Sequence, residues 1–123
     1  MLRVNDADCK IPLPSIVATT PTDTTAPDQP NNIGASFSFF IETTATDLDI
    51  KTDGTDKFVG GLYTGVTNAT GKTFIAAAAN DVITLNGTTT GGLAGSMLTV
   101  TAIASAKYAV TGITIRKGNH YGV

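Results

Sequence analysis

From Phe37 onward, apolar and polar residues alternate with a period of two. In SFSFFIET (36–43) the side chains of Phe37, Phe39 and Ile41 fall on one face and those of Ser36, Ser38, Phe40 and Glu42 on the other, the pattern of a half-buried strand. Phe40 breaks the polar face, as a core residue reached from a second side or as an interface residue. Further strand candidates follow at DLDIK (47–51), KFVGGLYTGV (57–66), KTFIAA (72–77), DVITLNG (81–87), SMLTVTAIA (96–104) and KYAVTGITIR (107–116). Turn-forming residues separate them in TDGTD, TNATGK, NGTTTGG and ASA. Many short strands with such punctuation predict an all-β body, a compact β-sandwich or small β-barrel. In the last candidate Tyr108 and Val110 have one parity and Ile113 and Ile115 the other, so a β-bulge at Gly112 would put all four on the core side. The run Ala76–Ala79 is the one place where a helical turn competes.

The composition then divides the chain. All five prolines (Pro12, Pro14, Pro21, Pro27, Pro30) precede residue 31, and every aromatic residue lies from Phe37 onward. Proline removes a backbone donor and is excluded from central strands, whereas aromatics suit a pleated, half-buried surface. The expected organisation is an extended Pro/Thr-rich N-terminal arm over 1–32 and a β body over 33–123. Extended at about 3.3 Å per residue, such an arm spans on the order of 100 Å and could cross a neighbouring subunit.

With 123 residues, 41% hydrophobic and 15% charged, the chain is of one-domain size and too apolar to be disordered throughout. Its net charge is −2, and Arg3, Lys10, Lys51, Lys57, Lys72, Lys107, Arg116 and Lys117 are scattered, which speaks against nucleic-acid binding. Cys9 is the only cysteine, so no intrachain disulfide can form. Asp6 and Asp8 interrupt any apolar leader, and no stretch approaches the roughly 18 apolar residues of a membrane span.

The search for chemistry yields near-misses. GVTNATGKT (65–73) ends like a phosphate-binding loop, but Val66 stands where glycine is needed and the continuation is β-prone; a hairpin turn accounts for it better. Asp47, Asp49, Asp53 and Asp56 offer oxygen donors, yet Lys51 occupies an acceptor position and no glutamate closes the loop, so a surface hairpin with TDGT as its turn is favoured over calcium. One histidine, His120, and one cysteine leave nucleophilic and zinc mechanisms without parts. The expectation is a protein without enzymatic activity, cofactor or metal.

The stretch NDVITLNGTTTGGLAGSMLTVTAIASAKYAVTG (80–112), within a likeness over residues 63 to 112, resembles the C-terminal hairpins of small structural proteins of tailed bacteriophages. Arm and body together resemble head decoration, or cement, proteins. That resemblance implies a virion protein on the outer capsid surface, a homotrimer that fastens neighbouring major capsid protein subunits, with no role for nucleic acid or membrane. Residues suited to the task are Ile11, Leu13, Ile16 and Val17 of the arm, which could add as a strand to a neighbour, and Phe40 and Tyr63 as subunit-interface candidates. A tail or fibre module and a small carbohydrate-binding module are the alternatives, the latter disfavoured by the absence of tryptophan.

Overall fold

The computed structural model describes residues 1–18, 31–66 and 69–117. Regular structure among them is β-strand alone: β1 (Leu2–Val4), β2 (Lys10–Pro12), β3 (Ser36–Ile41), β4 (Leu48–Lys51), β5 (Lys57–Val66), β6 (Ala69–Ile75), β7 (Val82–Leu85), β8 (Met97–Ala104) and β9 (Lys107–Arg116). They form two mixed sheets, a six-stranded one in the order β1-β3-β8-β9-β5-β6 and a three-stranded one in the order β2-β4-β7. Three pairings are parallel: β1 with β3, β2 with β4 and β5 with β9.

Both sheets feed a single core. Phe39, Ile41, Phe58, Leu62, Leu98, Val100, Tyr108 and Val110 enter it from the larger sheet, and Leu48, Ile50 and Leu85 from the smaller. The alternation seen in the sequence explains this: within β3, Phe39 and Ile41 are buried, and within β8, Leu98, Val100 and Ala102 are, while the residues between them lie on the opposite face. Phe58 and Tyr108, on paired positions of β5 and β9, tilt against each other with ring centroids 6.4 Å apart. Toward the far end of that strand pair the interior is polar, and Thr64 and Thr114 bond each other at 2.9 Å, so neither buried hydroxyl is orphaned.

Several expectations require correction. Over residues 1–18 the N-terminal segment is not an arm apart from the body: residues 2–4 and 10–12 are strands of the two sheets, and Val4 and Leu13 are buried in the core. Proline does not prevent this, because β2 is an edge strand and Pro12 ends it. An isolated bridge between Ala18 and Asn31 closes the segment, and the prolines at 21, 27 and 30 lie outside the described residues. The bulge expected at Gly112 is absent: β9 keeps one register against β8 through that point, so Thr114 takes the buried position and Ile113 faces solvent. The register shift lies instead between Ala102 and Ala104.

TDGT does not close a hairpin, since β4 and β5 belong to different sheets; the turn carries the chain from one to the other. The strand expected at 72–77 runs over Ala69–Ile75, placing the Gly71-Lys72-Thr73 of the loop-like motif inside β6. It pairs with β5 as a hairpin whose connecting residues, 67 and 68, lie outside the described residues. The alanine run forms a turn, with the Ala77 N–H donating to the Asn80 side chain at 2.7 Å. His120 also lies outside the described residues.

Candidate assembly interface

The acidic cluster that suggested calcium holds the N-terminal segment instead. The Lys10 ammonium bonds Asp49 at 2.7 Å and Asp47 at 3.2 Å. The Leu13 N–H donates to the Lys51 carbonyl at 2.7 Å, the Ser15 hydroxyl to Asp53 at 2.7 Å and the Ile16 N–H to the Asp56 carboxylate at 2.8 Å. From the body, the buried Tyr108 hydroxyl donates to the Pro14 carbonyl at 2.5 Å. Asp53 also accepts the N–H groups of Thr55 and Asp56 and so shapes the inter-sheet turn. No group of three or more potential metal ligands occurs among the described residues.

These contacts are sensitive to acid. The Lys10 ammonium, and after it the Thr84 hydroxyl, holds the Asp49 carboxyl below its ordinary range. The Asp56 N–H, and after it the Ser15 hydroxyl, does the same for Asp53. Both carboxyls have folded values beneath their unfolded ones, so the stability they contribute is complete above about pH 4 and is lost as pH falls through the depressed values. The melting temperature is therefore expected to be level from about pH 5 to about pH 8 and to drop below about pH 4. Measured by circular dichroism, the double variant Asp49→Asn, Asp53→Asn should show a shallower acid limb; an identical limb would refute the assignment.

The residues expected to meet a partner separate into two groups. Leu13 is buried in the chain's own core, Ile11 is half-buried and paired with Ile50, and Ile16 packs against the core, so these three are used within the chain. Val17 is exposed beside the closing bridge. Phe40 and Tyr63, by contrast, come together on one surface. Register places Arg3, Phe40, Met97, Ile113, Tyr63 and Thr73, one from each strand of the larger sheet, in a single row on its outer face.

The four central members form an unbroken apolar stripe. Phe40 is half-buried, while Met97, Ile113 and Tyr63 are 44%, 56% and 48% exposed. Three strand spacings of about 4.8 Å make the stripe roughly 14 Å long. Glycine keeps its neighbourhood low. A Cβ on Gly71 would strike the Tyr63 ring, and one on Gly61 would strike Ile75, so both side chains lie down over glycines of the adjacent strand. Here Gly71 makes room for an aromatic ring, which explains its presence in the loop-like motif without a phosphate. Met97 and Ile113 were not identified from the sequence. The alternation in β8 was a sufficient signal for Met97, but the assumed bulge hid Ile113.

A second apolar surface opens between the sheets, where the three-stranded sheet leaves β6 uncovered. It is a cleft of about 220 Å³ lined by Phe58, Leu62, Phe74, Val82, Ile83 and Leu85 among others. Phe74 shares the inner face with Leu62 yet is 44% exposed at the cleft mouth. Both flanking strands, β6 and β7, are sheet edges. Comparison with protein-family models, with curated proteins and with solved structures finds no match.

Proposed function

We propose that this chain is a non-enzymatic structural protein of a tailed-bacteriophage virion, bound to the outer capsid surface, where it fastens neighbouring major capsid protein subunits. In this reading the two sheets are the layers of a β-sandwich over one shared core. The observation that carries the proposal is the pair of separate apolar surfaces, the stripe on the outer face of the larger sheet and the cleft between the sheet edges. Contiguous exposed apolar surface on a small protein marks protein contact. A fastener requires two such surfaces, because it must hold more than one neighbour. The phage setting comes from the sequence resemblance over residues 63 to 112, and the mild acidity of the chain suits an external position.

Co-sedimentation with expanded capsids lacking the protein tests this. Saturable binding, and capsids that withstand heating better once loaded, are expected. Absence of binding across micromolar concentrations would exclude the capsid role, and binding to isolated tails instead would move the protein to the tail.

A further inference from the structure

We infer that the outer face of the six-stranded sheet docks a second copy of this chain, giving a two-fold pair with the larger sheets packed face to face. The inference rests on the assembly reading above and names the occupant of that face. The stripe matches itself. A two-fold axis parallel to the strands and passing between β8 and β9 sets each Phe40 opposite a Tyr63 and each Met97 opposite an Ile113, because the row order is Phe40, Met97, Ile113, Tyr63. A surface that repeats itself on rotation favours an isologous pair, whereas a three-fold ring needs two different complementary patches.

The area is sufficient. Six strands at about 4.8 Å spacing and about seven residues at about 3.3 Å each present roughly 600 Å² per copy, or roughly 1,200 Å² in the pair. That meets the lower bound of specific interfaces. Over β3 and β8 the flanking rows can be covered cheaply, because four of their hydroxyls are already paired across the strands: Ser36 with Thr101 at 3.0 Å and Ser38 with Thr99 at 2.9 Å. The charges stand at the rim. Arg3 pairs with Glu42 beside the β1 edge, Lys57 pairs with Asp81 at 3.0 Å at one end, and Lys107 stands at that same end. An apolar centre with a charged rim is the anatomy of a protein–protein interface.

Sedimentation equilibrium or light scattering on the full chain at tens of micromolar tests the pair. The expected mass is twice the chain's 12.6 kDa. Met97→Lys and Ile113→Lys alter side chains that the single chain exposes, so both variants should keep the wild-type circular dichroism while the dissociation constant of the pair rises about 100-fold or more. Val82→Lys, at the cleft, should leave the pair intact. A wild-type chain that is monomeric or trimeric, or a pair that survives both lysine substitutions, would overturn the inference. Capsid co-sedimentation is read separately: a monomer that still binds capsids removes the pair and keeps the function, and a pair that ignores capsids does the reverse.

Discussion

A chain lacking residues 1–17 is expected not to fold. An arm could be cut away to leave an intact body, but here the cut removes an edge strand from each sheet, β1 from beside β3 and β2 from beside β4. It also takes Val4 and Leu13 out of the core, at about 1.5–3 kcal/mol each for the lost burial. The Tyr108 hydroxyl loses the Pro14 carbonyl and the Asp56 carboxylate loses the Ile16 N–H, each at about 1–3 kcal/mol if left without a partner. The sum is comparable with the whole stability of an ordinary domain, about 5–15 kcal/mol. Circular dichroism and thermal melting of the truncated chain would therefore show no cooperative transition. Two milder variants grade the effect: Leu13→Ala should cost about 2–4 kcal/mol and Tyr108→Phe about 1–2 kcal/mol. A truncated chain melting cooperatively near the wild-type temperature would restore the arm as a separate part.

Gly112→Ala is expected to be nearly as damaging. Gly112 lies on the inner face of β9, paired with Leu98 of β8, with φ at 146°. A Cβ there would meet the Met97 carbonyl oxygen and stand 2.6 Å from the Leu98 Cα, both of them backbone atoms of the neighbouring strand. No side-chain rotamer relieves that clash. The strands must separate or β9 must twist, and the positive φ adds strain of about 1–3 kcal/mol. The total expected loss is about 3–5 kcal/mol, in the range reserved for a named mechanism such as this one. Denaturant titration measures it, and a loss under about 1 kcal/mol would show that the strand pair can open without cost.

The strands most legible in the sequence were those whose alternation is long and unbroken. The boundaries read for β5 and β9 coincide with the observed ones, and those of β4, β7 and β8 lie close. β1 and β2 were not legible because three residues carry no periodicity, and their pairing is decided by strands roughly 35 to 40 residues away. Composition then misled: the prolines coloured the whole segment, although Val4 and Leu13 are the residues that seat it. Gly112 misled in a different way. A glycine within a strand signals either a bulge or a close backbone approach, and only the register against β8 separates the two. Of the candidate interface, Phe40 stood out as an apolar residue on a polar face. Its neighbour Met97 was legible in the alternation of β8, whereas Ile113 follows only from the register of β9 against β8.

The strand order also bears on how the chain folds. Among the described strands of the larger sheet, β9 alone pairs with both the block β1-β3-β8 and the hairpin β5-β6. The hairpin precedes β8 in the chain, yet it gains no strand pairing to the block of β1, β3 and β8 until β9 enters between them. Closure of the larger sheet therefore waits on β9, and until then the edges of β8 and β5 that face it stay unpaired, which exposes a partly folded chain to aggregation. Disrupting β9 would therefore leave the larger sheet as two half-sheets instead of fraying one end of it, so this ten-residue strand governs whether the sheet forms at all.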